Sequence, residues 1–321
     1  MKILVLPGLT LPEVSAADLE RMAEAGGGGA TVVVRDYAET DQDIGDADVV
    51  LGFISRRLFR RARKLRWLHA IASGVDALLF DEFRNSEVIL TSEKGLVGEH
   101  LADHAFGLLL MLTRQLATAH RLGADCWNHR PEMRAQEIEL TGATMGLYGF
   151  GGTGRAMARR AAAFGMKVVA MDREAVPASP EVQRVEGPDF FDELLARSDV
   201  LAICTPLTPE TRNKFDRAAF HAMQDSAFLV NVTRGEVMVE DDLVEALASG
   251  QIRGAALDVA PREPLPADSP LWTLPNVVMT PHTAGASQFR AARNIDRFVE
   301  NLKRLRRGEP LEGVIDKERG Y

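Results

Sequence analysis

Three side chains with acid–base or anion-binding chemistry stand just after apolar segments in the second half of the chain. Arg234 follows the run 227–230, Glu263 follows the run 255–259, and His282 follows the run 277–279. In an open α/β sheet, ligands bind outside the carboxyl ends of the strands, so these side chains are expected to share one crevice. A guanidinium can bind a carboxylate at two points, and a carboxylate–imidazole pair can move a proton. Each residue alone has an ordinary structural explanation, but together they favour a catalytic site.

A glycine-rich segment, Gly149–Gly154, matches the pattern G-x-G-x-x-G. The pattern alone is weak, but here a predicted strand at 144–148 leads into it and a helical pattern at 155–164 leads out. A second predicted strand, 167–171, then ends at Asp172. This order of strand, turn, helix, strand and acid is typical of a dinucleotide-binding unit, and a purely structural glycine turn is the alternative.

The residue types in this segment fit the chemistry of a dinucleotide. Gly149 permits a tight turn, Gly151 leaves room for a pyrophosphate, and Gly154 permits close packing of helix and strand. Asp172 can accept hydrogen bonds from the ribose hydroxyls and would repel a 2′-phosphate, so NAD is favoured over NADP. Arg173 could instead pair with a 2′-phosphate, which keeps NADP open as the alternative.

The elements that must position these residues are short apolar runs alternating with helical patterns. Runs that are apolar at successive positions indicate strands covered on both faces, and their alternation with helices predicts parallel βαβ units. The sequence therefore predicts an α/β fold with two Rossmann-like, doubly wound parallel-sheet domains. The predicted strands are 3–6, 31–34, 49–52, 68–72, 88–90, 144–148, 167–171, 200–204, 227–231, 255–259 and 277–280.

Two helical patterns suggest where the domains divide. Residues 98–122 are predicted to form one long, mostly buried helix, and residues 287–307 form a second helix with one apolar face. Five predicted strands precede residue 98 and six follow it, so two domains are expected, with the long helix between them.

Composition excludes several classes of protein. The net charge is −8, which argues against a nucleic-acid partner, and no segment is long and apolar enough to cross a membrane. One basic run, 56–66, is interpreted as a solvated helix face, with a docking patch as the alternative. The two cysteines, Cys126 and Cys204, are far apart, which predicts no metal site and a reduced, cytoplasmic protein.

In combination, these motifs closely resemble those of the D-isomer-specific 2-hydroxyacid dehydrogenase family over nearly the whole chain. The resemblance implies an NAD-dependent enzyme that interconverts a small 2-oxo acid and its D-2-hydroxy acid, and that is a homodimer. It further implies that Arg234 binds the substrate carboxylate, and that Glu263 and His282 form the acid pair. It also implies a substrate-binding domain made of residues 1–97 and 288–321, with a substrate-binding turn at Ser73, Gly74 and Val75, and an NAD-binding domain at 98–287. The cofactor-binding residues implied are Gly149, Gly151, Gly152, Thr153, Gly154, Asp172, Thr205, Pro206, Val232, Thr233, Arg234, Asp258, His282 and Gly285.

Three positions depart from the common pattern of that family. Ser92 stands where many members have asparagine, Ala260 replaces an aromatic residue, and Asp103 precedes His104 where glutamate is frequent. Because of the first two departures, the resemblance does not determine which acid is the substrate. Two other functions also stay open: an NAD(H)-sensing regulatory protein, and a dehydrogenase for a one-carbon or phosphorus donor.

Overall fold

The computed structural model describes residues 1–182 and 184–321. The chain divides into two compact units. We call residues 1–97 and 286–321 the split unit, and residues 98–285 the central unit. Each unit contains one parallel β-sheet, five-stranded in the split unit and seven-stranded in the central unit. The predicted fold class, two doubly wound α/β domains, is confirmed.

The split unit is built on strands in the order β2-β1-β3-β4-β5, all parallel. Successive strand residues alternate between two buried clusters, so both faces of the sheet are covered. Leu4 lies in one cluster, whereas Ile3 and Val5 lie in the other. The strands are β1 (Lys2–Val5), β2 (Thr31–Val34), β3 (Val49–Leu51), β4 (Trp67–His69) and β5 (Ile89–Thr91).

The central unit has the strand order β12-β11-β10-β9-β6-β7-β8, again all parallel. The order reverses between β6 and β9, and such a reversal is where open α/β sheets bind ligands. The strands are β6 (Thr144–Tyr148), β7 (Lys167–Met171), β8 (Val185–Glu186), β9 (Val200–Ile203), β10 (Phe228–Asn231), β11 (Gly254–Leu257) and β12 (Val277–Met279).

Helices cover the faces of each sheet. In the split unit, the predicted apolar face of the last helix is buried, with Phe298 stacked on Trp67. The helices are α1 (Ala16–Gly26), α2 (Arg56–Phe59), α3 (Asp81–Arg84), α4 (Gly98–Thr113), α5 (Leu116–Leu122), α6 (Arg130–Gln136), α7 (Gly152–Ala163), α8 (Phe191–Arg197), α9 (Arg217–Ala222), α10 (Glu240–Ser249) and α11 (Arg290–Arg307).

Two details of the secondary-structure prediction were wrong. The long helix predicted at 98–122 is two helices, because Gln115 has a left-handed backbone with φ +53° that ends the regular hydrogen bonding. The side chain of Gln115 donates to the Leu112 carbonyl oxygen across this break. The second detail is β8, a two-residue edge strand that the prediction missed.

The basic run at 56–66 is largely neutralised by carboxylates. Arg56 and Arg60 both pair with Glu82, and Arg57 and Arg61 both pair with Asp41. These pairs favour a solvated helix face over a docking patch. Among the described residues, no helix has the length and apolarity needed to span a membrane.

Candidate functional site

The glycine turn is tightly packed at Gly149 and Gly154 but open at Gly151, the position that would face a ligand. Gly149 has a φ of +101°, and a Cβ there would lie 2.8 Å from the Cγ2 of Thr205. A Cβ on Gly154 would lie 2.2 Å from the carbonyl oxygen of Gly149. By contrast, a Cβ on Gly151 would meet no heavy atom of the neighbouring structure within 4 Å. Space is thus kept at the N-terminus of α7, where unpaired N–H groups favour an anion.

A buried hydroxyl without a partner lies beside this turn. Thr205 follows β9, the strand next to β6, and its Oγ1 makes no hydrogen bond to any described residue. Leaving a buried polar atom unpaired is unfavourable, so the Thr205 hydroxyl is a candidate contact for a bound ligand. A phosphate or ribose oxygen would satisfy it. The residues present therefore fit a dinucleotide.

Asp172 connects the end of β7 to the glycine turn. Its Oδ2 accepts a hydrogen bond from the Phe150 N–H at 2.7 Å, and its Oδ1 accepts one from the Glu174 N–H at 2.9 Å. An ionised carboxylate offers about four acceptor positions, so both oxygens can still accept from ribose hydroxyls.

Two other ionisable groups beside the turn are unsuited to proton transfer or nucleophilic attack near neutral pH. Burial and, to a smaller extent, the negative charge of Asp172 together raise the pKa of the Tyr148 hydroxyl to about 12. Desolvation also raises the pKa of the Cys204 thiol to about 12, although part of this residue reaches solvent. Both groups stay protonated, so neither provides a reactive anion.

The predicted acid pair is in direct contact. The Nδ1 of His282 lies 2.7 Å from the Oε2 of Glu263, and the other carboxylate oxygen, Oε1, accepts from the Ala260 N–H at 3.1 Å. The side chains of His282 and Glu263 are 43% and 38% exposed, so a ligand can reach them. Because Nδ1 faces the carboxylate, Nε2 is the atom that can exchange a proton with a ligand.

The backbone of His282 is held in an unfavourable conformation. Its φ of +55° is left-handed, which costs about 1 kcal/mol for a residue other than glycine. The His282 N–H donates to the Asp258 carbonyl oxygen at 2.7 Å, which helps to fix this geometry. Strained backbone that the surroundings enforce is concentrated at functional sites, so the conformation supports a role for this side chain.

Asp258 fixes the loop that carries the histidine. This carboxylate is 1% exposed, and its Oδ1 accepts from the Thr280 hydroxyl at 2.6 Å and from the Thr283 N–H at 2.9 Å. Its Oδ2 accepts from the Ala284 N–H at 2.8 Å. The structure thus shows a bracing role for Asp258 that the sequence did not reveal, while its contact with the cofactor stays a prediction.

His104 extends this network from α4. Its Nε2 lies 2.7 Å from the Thr280 hydroxyl oxygen, which itself donates to Asp258. The hydroxyl therefore accepts from His104, and Nε2 carries a hydrogen. Sequence reasoning assigned His104 no role, although a histidine directly before the apolar stretch 105–112 of α4 was the signal that could have found it.

Arg234 lies on a loop held by the amide side chain of Asn231. The Asn231 Nδ2 donates to the Arg234 carbonyl oxygen at 2.9 Å, and the Asn231 Oδ1 accepts from the Thr233 N–H at 3.0 Å. The guanidinium donates from Nη1 to the Thr233 carbonyl oxygen at 2.9 Å. Both the loop and one edge of the guanidinium are therefore fixed before any ligand binds.

The next residue, Gly235, brings the arginine loop against the glutamate loop. A Cβ on Gly235 would lie 1.9 Å from the carbonyl carbon of Ala260 and 2.4 Å from the nitrogen of Pro261. Only glycine permits this approach of two backbones. The contact places Arg234 and Glu263 on loops that touch.

Replacing Gly235 by alanine is expected to separate these loops, because the methyl group cannot be accommodated without moving backbone. We expect a loss of about 1–3 kcal/mol in the free energy of unfolding, measured by urea denaturation. The matched control is Gly187→Ala in the same unit, where a Cβ would meet open space. Equal stability of the two variants would contradict the packing argument.

The predicted substrate turn, Ser73–Val75, lies in the split unit and stays a prediction. Beside this turn lies a buried carboxylate, that of Glu93, which the sequence analysis did not identify. Glu93, 1% exposed, donates its N–H to the Ala72 carbonyl oxygen, and its carboxylate pairs with Arg290 at 2.5 Å. Asn294 donates to the same carboxylate at 2.9 Å. This buried pair connects the segment beside the turn to α11.

The remaining predicted cofactor residues lie at the same edge of the central sheet or close to it. Gly152 and Thr153 form the first turn of α7, and Pro206 follows β9. Val232 and Thr233 follow β10, and Gly285 is the last residue of the central unit. Their contacts with a nucleotide stay predictions. No cluster of metal-ligating side chains occurs among residues 1–182 and 184–321.

Sequence comparisons relate this chain to known proteins. The family model described as "D-isomer specific 2-hydroxyacid dehydrogenase, NAD binding domain" matches residues 106–284. A glyoxylate reductase of Korarchaeum cryptofilum is 34% identical over 273 residues, which cover 83% of this chain and 80% of that protein.

Solved structures extend the similarity to the whole chain. The NADPH-dependent glyoxylate/hydroxypyruvate reductase of Sinorhizobium meliloti, in complex with NADP and sulfate, has a TM-score of 0.80 at 28% identity, covering 100% of this chain and 99% of that one. The NAD-dependent formate dehydrogenase of Staphylococcus aureus, in complex with NAD, has a TM-score of 0.76 at 28% identity, covering 98% and 99%. Family model, relatives and fold agree: the chain belongs to the D-isomer-specific 2-hydroxyacid dehydrogenase family.

Proposed function

We propose that the protein is an NAD(H)-dependent oxidoreductase that interconverts a small 2-oxo acid and its D-2-hydroxy acid. The observation that carries this proposal is the 2.7 Å contact between His282 and Glu263 on a loop braced by buried Asp258. An imidazole oriented by a carboxylate is the group that this reaction needs for proton transfer. Membership of the family supports a reductase of 2-oxo acids that uses a nicotinamide cofactor.

The proposed roles of the two parts of the chain follow the sequence prediction. Residues 98–287 bind the dinucleotide, and residues 1–97 with 288–321 bind the substrate. The glycine turn, the unpaired Thr205 hydroxyl and Asp172, all within the central unit, support the first assignment.

In the reductive direction, bound NADH supplies the hydride that converts the carbonyl carbon of the substrate to an alcohol carbon. Arg234 binds the substrate carboxylate through its guanidinium, which also donates to the Thr233 carbonyl oxygen. Negative charge grows on the carbonyl oxygen, and His282 donates a proton from Nε2 to that oxygen. Glu263, in contact with Nδ1, keeps the ring oriented.

NAD rather than NADP is the proposed cofactor. Asp172 directly follows β7, the position expected of an acid that accepts from both ribose hydroxyls and repels a 2′-phosphate.

The proposed assembly is a homodimer in the cytoplasm. The segment 116–136 contains α5 and α6, in which no residue is buried, and it exposes 52% of Leu116 and 74% of Trp127. Large exposed apolar side chains support a protein interface. Both cysteines are free, which supports a reducing compartment.

The test is a screen of glyoxylate, hydroxypyruvate, pyruvate and a bulkier 2-oxo acid, each with NADH and with NADPH. We expect oxidation of NADH, followed by the absorbance of the reduced nicotinamide, and a D-2-hydroxy acid on chiral chromatography. Binding of NADH with no turnover of any acid would instead favour a regulatory protein. Activity only with formate or phosphite, with NAD as the hydride acceptor, would instead favour a dehydrogenase for a one-carbon or phosphorus donor.

A further inference from the structure

Arg173, the residue that could recognise NADP, is held in an ion pair. Its Nη1 lies 3.3 Å from the Oε1 of Glu210. Arg173 is the second residue after β7, whereas Glu210 lies on the loop after β9. In the sheet, β6 lies between β7 and β9. The ion pair therefore spans the carboxyl end of β6, where the glycine turn begins.

The loop that carries Glu210 is ordered by its own hydrogen bonds. The Thr211 hydroxyl donates to the Pro206 carbonyl oxygen at 2.8 Å and accepts from the Thr208 N–H at 2.8 Å. Hydrogen bonds from its own backbone N–H and from Thr208, together with Arg173, hold the pKa of the Glu210 carboxyl below its usual range. Glu210 is therefore negatively charged at neutral pH.

We propose that Glu210 is a specificity-determining residue that withholds Arg173 from the 2′-phosphate of NADP and so favours NAD. This inference rests on the proposed dinucleotide-binding function. A 2′-phosphate beside Arg173 would meet two carboxylates, those of Asp172 and Glu210, and like charges disfavour its binding. NAD lacks this phosphate and is unaffected.

The pair contributes little to stability, so its removal leaves the fold intact. The side chains of Arg173 and Glu210 are 51% and 58% exposed, and exposed ion pairs contribute about 0–1 kcal/mol. Replacing Glu210 by glutamine removes the competing charge and leaves Arg173 free to bind a phosphate, which a guanidinium does well.

The experiment measures the dissociation constants of NADPH and NADH by calorimetry on the full chain. We expect Glu210→Gln to tighten NADPH binding about tenfold and to change NADH binding by less than about twofold. Adding Arg173→Gln to this variant is expected to abolish the gain. The matched control is Glu193→Gln, which removes another exposed glutamate paired with an arginine in the same unit.

Three results would overturn the inference: equal affinity of the wild-type chain for both cofactors, no gain in NADPH affinity for Glu210→Gln, or a gain that persists without Arg173. An equal gain in Glu193→Gln would also overturn it, since net charge alone would then be responsible. Because binding is measured without turnover, a chain that binds NADH but reduces no 2-oxo acid would refute the proposed reaction and still decide the role of Glu210.

Discussion

Replacing His282 by asparagine is expected to lower kcat for 2-oxo acid reduction by about 10²–10⁴-fold, the usual contribution of a positioned general acid. Asparagine is the preferred replacement because it tolerates the left-handed backbone that His282 adopts, with φ +55°. It cannot transfer a proton at neutral pH. The loss is therefore expected in the chemical step and not in folding.

The affinity for NADH separates this role from a structural one. We expect the NADH dissociation constant to change by less than about twofold, since the glycine turn and Asp172 are untouched. His221→Asn is the matched control, because His221 lies on α9 of the same unit, where its Nδ1 lies 3.1 Å from a Gln251 side-chain oxygen. Wild-type turnover in His282→Asn would remove the histidine from the mechanism.

The sheets were predictable because their strands are covered on both faces. In β9, for example, Leu201 and Ala202 lie in different buried clusters, so the strand is continuously apolar and stands out from its surroundings. The prediction at 200–204 differed from the observed strand, Val200–Ile203, only at its end. The edge strand β8 has two residues and was missed, because two residues cannot show a periodicity.

The break after α4 shows a second limit of sequence patterns. Apolar residues continue past Thr113, so periodicity alone favours one helix through residue 122. The chain instead ends the helix through the left-handed backbone at Gln115, a residue type that carries no strong stop signal.

In the candidate site, the sequence could single out the candidate side chains but not the hydrogen bonds and packing that hold them. Arg234, Glu263 and His282 are recognisable by type and by their position after strands. The bracing by Asp258 and His104 depends on hydrogen-bond geometry between elements far apart in sequence, which no local pattern encodes. Similarly, the approach of Gly235 to Ala260 becomes visible only when both loops are folded.

Replacing Arg234 by alanine is expected to reduce kcat/KM for the 2-oxo acid by about 10²–10⁴-fold. A hydrogen bond to a charged group contributes about 1.5–3 kcal/mol, and two such bonds to a carboxylate give about 3–6 kcal/mol. At about 1.4 kcal/mol for each factor of ten, this range corresponds to the stated loss. We expect KM to rise and kcat to fall, because the guanidinium binds the substrate both before and during the reaction.

Arg234→Lys distinguishes geometry from charge. Lysine keeps the positive charge but cannot bind a carboxylate at two points, so we expect it to recover only part of the lost kcat/KM. Arg197→Ala, which removes an exposed arginine on α8, serves as the control and should match the wild type. Since the Arg234 guanidinium also donates to the Thr233 carbonyl oxygen, NADH affinity must be measured alongside. A loss of NADH affinity equal to the loss of kcat/KM would mean that Arg234 shapes the cofactor site instead of binding the substrate.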